Sequence, residues 1–291
     1  MTGSCLESPE QPAELLAKDQ RLRDEIRQLG SVLVAYSGGV DSSYLALVAF
    51  QELSEAALAV IAVSPSLAQV ELVDARRQAE QMGFPLLEIA TNEVENELYR
   101  ANGGNRCYFC KATLFDSMSL LKQERGFSAI AYGANMDDLS DVRPGHAAAR
   151  AAGVLAPFVN CHLYKEEIRT LAALHGLPSW DRPQAACLSS RFPDFTPIDA
   201  SRLALVERAE ALVKAAGFKQ VRVRFLSRPE GLTASVEVGQ NELALLTTSL
   251  TEPLSLAIRA LGCEFVQFDK AGYRQGNATA VLFEPAVRSG V

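Results

Sequence analysis

The chain has no apolar run long enough to span a bilayer, and its start lacks the basic segment and apolar core of a secretory signal. Both absences point to the cytoplasm. No strongly basic stretch is present and the net charge is −7. A broad nucleic-acid surface is therefore not favoured, although a local basic groove is compatible with that balance. There is no internal repeat and no low-complexity tract. The histidines His146, His162 and His175 are scattered and form no ligand pattern. No second CxxC accompanies the one at 107–110, so an ordinary four-cysteine zinc site is not supported. Six cysteines in a cytoplasmic chain read as reduced thiols, metal ligands or reactive groups rather than disulfides.

What is there is a chain of 291 residues, 48% hydrophobic, the size and composition of a soluble globular protein of one or two domains. Residues 1–12 are polar and read as a flexible N-terminus. Leu15, Leu16, Leu22, Ile26 and Leu29 have helical spacing, and Gly30 ends the run. Strands are predicted over 31–36, 57–63, 85–89 and 127–132, with helices over 43–53, 69–82 and 108–124 between them. This alternation predicts an α/β domain, Rossmann-like, with a parallel sheet covered on both faces. Ligands of such domains bind outside the carboxyl ends of the strands. Residues 179–198, with three prolines and no periodicity, read as a loop ending the first domain, 13–195. Residues 196–291 then form a small α+β domain. It has a helix over 199–216, strands over 220–226, 232–238 and 264–268, and a helical stretch over 241–261 broken near Pro253.

Residues 37–43, Ser-Gly-Gly-Val-Asp-Ser-Ser, lie between the first of those strands and a helix. Two glycines allow close backbone approach, and the helix start adds unpaired N–H donors and partial positive charge. Ser37, Gly38, Gly39, Asp41, Ser42 and Ser43 are thus candidates for an anion site. The pattern is not Walker A, because no Gly-Lys-Ser/Thr follows. It resembles the pyrophosphate loop of enzymes that split ATP between its α and β phosphates. Ser64 ends the second strand, and Gly133 and Asn135 follow the fourth, so three strand ends offer small or polar groups to one cleft. Asp137 or Asp138 can hold Mg²⁺ with nucleotide phosphates, or cap the next helix. Arg143 can clamp a phosphate or carboxylate. Arg222 and Arg224, two apart on a strand, face one side and can grip an anion, or form a solvated face.

Cys187 sits among small residues in the Pro-rich loop, where the sulfur is accessible and Arg191 can favour the thiolate; a small buried hydrophobe is the plainer reading. Cys107 and Cys110 open a helix after a Gly-rich loop. Their spacing fits zinc, a cluster, a redox pair or coincidence. Joined by Cys187, they can bind a [4Fe–4S] cluster with one iron open. Cys5, Cys161 and Cys263 read as structural.

Taken together the motifs resemble the LarE family of ATP-dependent sulfur transferases, within the PP-loop superfamily. The matching segments are SGGVDSS at 37–43, AVSPSL at 62–67, NRCYFCK at 105–111, NMDDLSDVRPG at 135–145, LPSWDRPQAACLSSRFP at 177–193, QVRVR at 220–224 and AGYRQG at 271–276. Other PP-loop enzymes, the tRNA thiolases and the NAD and GMP synthetases, share the loop but not the CLSSRFP segment or the C-terminal domain. Gly103-Gly104, Asp194-Phe195 and Asn160-Cys161-His162 depart from the family pattern. The resemblance implies a small-molecule nucleotide substrate and a homo-oligomer. It also implies adenylylation of a pyridinium biscarboxylic acid mononucleotide by ATP, with Mg²⁺, followed by thiocarboxylate formation for a nickel-pincer cofactor. In this reading Asp41, Arg191 and Cys187 are catalytic, and Arg222 and Arg224 hold the substrate. The sulfur comes either from Cys187 itself or from a sulfide on a cluster held by Cys107, Cys110 and Cys187.

Overall fold

The computed structural model describes residues 10–140, 144–183 and 185–274. The chain divides into two compact units, Met1–Glu93 with Cys107–Ala185, and Val94–Arg106 with Ala186–Val291. The second unit begins inside the Pro-rich loop rather than at residue 196. It also takes in residues 94–106, which the sequence reading places in the first domain.

In the first unit, α1 (Glu10–Leu29) precedes β1 (Val32–Ala35), α2 (Val40–Leu53), β2 (Ala57–Val63), α3 (Gln69–Met82) and β3 (Leu86–Ala90). Residues 10–12, expected to be flexible, are already helical, and residues 1–9 lie outside the described residues. The four strands are parallel in the order β3-β2-β1-β4, where β4 is Ala129–Tyr132. Val32 of β1 lies beside Ala57 of β2 and Ala129 of β4.

Alternation explains the unbroken apolar sequence of β1. Val32 and Val34 enter the core shared with Leu22, Ile26, Tyr44, Leu45, Leu72 and Ile168. Leu33 and Ala35 enter the opposite core with Phe115, Met118 and Ile130. A strand buried on both faces has no polar side to show.

Before β4 the chain forms α4 (Glu97–Arg100) and α5 (Arg106–Arg125). After it come three helices that the periodicity did not reveal: α6 (Pro144–Ala151), α7 (Pro157–Asn160) and α8 (Lys165–Leu174). The first two are only eight and four residues long, too short for a helical period to stand out.

The chain runs from β1 to β2 and β3 on one side, then adds β4 on the other side of β1. The order therefore reverses between β1 and β4, which makes that gap the switch point where such sheets bind ligands.

The second unit holds α9 (Ala200–Ala215), β5 (Val221–Arg228), β6 (Gly231–Val238), α10 (Thr248–Arg259) and β7 (Phe265–Phe268). Asp199 caps α9 by accepting the Arg202 N–H at 2.9 Å. Leu203, Val206, Ala209 and Val213 of α9 are buried, as are Val221, Val223 and Phe225 of β5. β5 and β6 form an antiparallel hairpin, and β7 adds parallel to β6. The expected break at Pro253 is corrected: α10 runs through Pro253, and the interruption falls at Leu246 and Thr247, after a 3-10 turn at Gln240–Leu245. Pro253 and Ser249 lie on the exposed face, where water can take the carbonyl that proline leaves unbonded.

Among the described residues no helix is long and apolar enough to cross a membrane.

Candidate active site

The Gly-rich loop follows β1 at its carboxyl end. Gly38 has φ +75°, and a Cβ there would stand 3.0 Å from Ala75 Cβ of α3, so both conformation and space demand glycine. Gly39 precedes the first turn of α2 in an extended conformation and supplies no side-chain cap to it. The loop is closed on itself: Ser42 Oγ accepts the Ser37 N–H at 3.1 Å and lies 3.0 Å from Ser37 Oγ. Ser42 Oγ donates in turn to the Gly39 carbonyl at 3.1 Å. Ser43 points elsewhere. It is fully buried, donates to the Gly39 carbonyl at 2.8 Å and takes a hydrogen bond from Gln78. Its hydroxyl therefore braces the loop from the core side.

The end of β4 closes against this loop. A Cβ at Gly133 would come within 2.9 Å of Ser42 N and 3.0 Å of both the carbonyl carbon and Cβ of Asp41. Asn135, buried, accepts the Asp137 N–H at 3.0 Å, and its own N–H donates to Asp138 Oδ2 at 3.1 Å. Its amide nitrogen stands 3.5 Å from Asp41 Oδ1. The other Asp41 oxygen is ion-paired with Lys165 Nζ. Asp137 accepts the backbone N–H of Lys165 at 2.7 Å, at the start of α8 and not of the helix next in sequence. Burial raises the Asp41 carboxyl above its ordinary range; Lys165 pulls it down, and the neighbouring charge of Asp138 pushes it up again.

Asp41, Asn135 and Asp138 are hard oxygen donors of the kind Mg²⁺ takes. Among the described residues no three His, Cys, Asp or Glu side chains form a metal cage. Mg²⁺ is commonly held by one or two carboxylates together with substrate phosphates. Arg143 lies outside the described residues.

At the end of β2, Ser64 is tied into a buried cluster. Ser64 Oγ and Ser66 Oγ donate to Glu93 Oε1 at 2.5 and 2.7 Å, and Thr91 Oγ1 donates to Glu93 Oε2 at 2.9 Å. Glu93 is 2% exposed, so these hydroxyls replace its hydration. Cys107, exposed, and Cys110, half-buried, lie in the first turn of α5. Lys111 follows, its amine 5.6 Å from the centre of the Phe115 ring. Burial lowers the Lys111 pKa, and the two cysteines counter that by attraction.

In the second unit Cys187 is exposed at the head of a 3-10 turn, Leu188–Arg191. Arg191 is buried. It is paired with Glu210 at 2.8 Å and donates to the carbonyls of Ala186 and Cys187 at 2.7 and 2.9 Å. Its charge is answered by Glu210, so it holds the backbone of the thiol loop. Glu210 also accepts the Val223 N–H at 3.1 Å, fastening that loop to β5.

Arg224 is buried too, bonded to Glu237 at 2.7 Å and to the Ser190 carbonyl at 3.1 Å. Arg222, on the same face of β5, stacks its guanidinium 5.3 Å over the Tyr273 ring. Residues 94–106 reach the same loop: Tyr99 Oη lies 2.6 Å from Ser189 Oγ, and Arg106 donates to the Ser189 carbonyl at 3.1 Å. Cys161 and Cys263 are buried; Cys5 lies outside the described residues.

Sequence reasoning missed Lys165, Glu210, Glu237, Glu93 and Tyr273. One signal was available for Lys165. A lysine in the acidic first turn of a helix, before Glu166 and Glu167, opposes the helix dipole.

Fold and site together define the class: a doubly wound α/β protein with a closed Gly-rich loop at the switch point of a parallel sheet, and a small α+β unit. No family model matches the chain. It is 40% identical over 270 residues to the uncharacterized protein slr1717 of Synechocystis sp., an alignment covering 92% of this chain and 99% of that one. It is 27% identical over 271 residues, 93% and 96% of the two chains, to the pyridinium-3,5-bisthiocarboxylic acid mononucleotide synthase of Lactiplantibacillus plantarum. It is also 26% identical over 193 residues, 66% and 73%, to the uncharacterized protein MJ0830 of Methanocaldococcus jannaschii. The chain belongs to one family with slr1717, and its similarity to the synthase over 93% of its length supports a LarE-like relationship.

Proposed function

We propose that the protein is an ATP-dependent sulfur transferase that converts carboxylate to thiocarboxylate on a pyridinium biscarboxylic acid mononucleotide, within nickel-pincer nucleotide biosynthesis. The observation that carries this reading is the closed Gly-rich loop at the switch point, with Asp41 and Asp138 beside it, in a chain similar over 93% of its length to a synthase of that product class. A carboxylate oxygen of the substrate attacks the α-phosphorus of ATP. The bond to the bridging oxygen breaks, and pyrophosphate leaves with the electron pair. Backbone N–H groups of residues 38–42 stabilise that anion, and Asp41 and Asp138 would hold Mg²⁺, which would supply further neutralisation of the phosphate charge. The acyl-adenylate is then open to sulfur, with AMP as the leaving group.

For the sulfur we favour the three thiols Cys107, Cys110 and Cys187 as soft ligands of a [4Fe–4S] cluster. Such a cluster would supply an exogenous sulfide as nucleophile. Cys107 and Cys187 are exposed thiols, as ligands of this kind must be before loading. In the other route Cys187 attacks as thiolate and forms a thioester. Loss of its Cα proton to a base then breaks the Cβ–Sγ bond, leaving the thiocarboxylate and a dehydroalanine.

Incubation with ATP, Mg²⁺ and the pyridinium dicarboxylate tests the proposal. Pyrophosphate and AMP in equal amounts are expected. Formation of ADP and phosphate, or thiolation of bulk tRNA without reaction of the pyridinium substrate, would overturn it. Anaerobic reconstitution with iron and sulfide separates the sulfur sources. Visible absorbance lost in Cys107→Ala supports the cluster, whereas a colourless protein whose Cys187 loses the mass of H₂S in one turnover establishes the sacrificial route.

A further inference from the structure

Lys165 stands at the mouth of the Gly-rich loop, 124 residues along the chain from Asp41, and its amine is ion-paired with that carboxylate. It is held there from several directions. Its backbone N–H, at the first position of α8, donates to Asp137. The preceding N–H, of Tyr164, donates to Glu167 at 2.9 Å, and Glu167 is bonded to Lys18 of α1 at 2.6 Å. The start of α8 is thus pinned to α1 on one side and to the turn after β4 on the other. The side chains of Lys165 and Asp41 remain 30% and 22% exposed, so the pair lies where a ligand can reach it.

A lysine at this place works against its own helix. The first turn of α8 carries the positive end of the dipole, and Glu166 and Glu167 are the residues that suit it. Asp41 accounts for the position only in part, because the side-chain amide of Asn135 also faces that carboxylate. Pyrophosphate brings several negative charges to a loop whose own donors are neutral N–H groups. Asp41 and Asp138 would hold Mg²⁺ together with phosphate oxygens, and Asp41 would then release the ammonium. The flexible four-carbon stem of lysine then lets its three donors move to phosphate oxygens without moving the backbone.

We infer that Lys165 is a pyrophosphate-binding residue of this site, holding Asp41 in the free protein and passing to the phosphate oxygens when nucleotide and Mg²⁺ arrive. The inference rests on the proposed reading of the loop as a pyrophosphate site. It assigns the cation that neutralises the leaving group.

Titration calorimetry with inorganic pyrophosphate, with and without Mg²⁺, tests it on the full chain. Lys165→Met is expected to weaken pyrophosphate binding roughly ten- to a hundredfold, the range for one charge-assisted contact, and Lys165→Arg to retain most of the affinity. Asp41→Asn releases the lysine, so Mg²⁺-free binding of pyrophosphate should tighten several-fold, and that gain should vanish in Asp41→Asn/Lys165→Met. A merely structural ion pair would not produce this reversal. Folded Lys165→Met protein that binds pyrophosphate as the wild type does would overturn the inference. If Lys165→Met does not fold, absence of the Asp41→Asn gain overturns it instead. Wild-type protein that binds no pyrophosphate refutes the loop reading itself, and this inference with it.

Discussion

Gly133→Ala is the sharpest test of how the sheet builds the loop. Gly133 has no positive φ, so alanine suits its backbone and the whole cost is steric. The new methyl would stand 2.9 Å from Ser42 N and 3.0 Å from Asp41 carbonyl and Cβ carbons. Ordinary contact begins near 3.5 Å, so one side has to move by roughly half an ångström. Overpacking of this kind costs about 1–3 kcal/mol, a fall in Tm of roughly 2–12 °C for a unit of this size. Whatever is relieved by movement displaces Asp41 and the loop N–H groups, and misplacement of catalytic groups on an ångström scale costs up to about a hundredfold in rate. Thermal melting and pyrophosphate release measure the two parts. Gly104→Ala is the control: no atom of the described residues lies within 4 Å of its Cβ position, and it should stay within about 0.5 kcal/mol of wild type. A Gly133→Ala protein with wild-type Tm and turnover would refute the reasoning.

Arg224→Ala strands Glu237 in the interior, where its second oxygen already has no hydrogen-bond partner among the described residues. A loss of about 3–5 kcal/mol is expected in urea unfolding, with partial recovery in Arg224→Ala/Glu237→Ala; a neutral single variant would refute the pairing. Burial works against the Glu242 charge, but N–H groups of Lys219, Gln220 and Gly239 outweigh it and hold the carboxyl below its usual 4.5. Its contribution is therefore complete above pH 4.5 and lost as pH falls through the lowered value. Glu242→Gln should be less stable at neutral pH by about 2 kcal/mol and show a shallower acid decline, and parallel pH curves would contradict this. Cys187→Ser should still release pyrophosphate from ATP with the pyridinium substrate yet form no thiocarboxylate. Thiocarboxylate production by that variant would remove Cys187 from the sulfur step.

Local sequence determined the first unit's frame. The apolar runs at Val32–Ala35 and Ala57–Val63 admit only strands buried on both faces, and the glycines at 38 and 39 mark a backbone turn that no other residue fits at Gly38. Period and punctuation are properties of neighbouring residues, so Gln69–Met82 and Ala57–Val63 were legible to the residue. The helices between 144 and 174 were not: Pro144–Ala151 and Pro157–Asn160 are too short for a period to stand out, and Lys165–Leu174 shows its apolar face, Ile168, Leu171 and Ala172, over only two turns. The site shows the same division. Ser37, Gly38 and Ser42 announce themselves by spacing. Lys165 meets Asp41 only because the chain adds β4 on the far side of β1 and returns through α8. Arginines 191 and 224 read in the sequence as groups for a thiolate and a substrate, and tertiary structure gave each a buried carboxylate, Glu210 and Glu237. No pattern along the chain records that choice. A charge is answered by whatever the fold places within about 3 Å of it, and that partner comes from a distant part of the sequence.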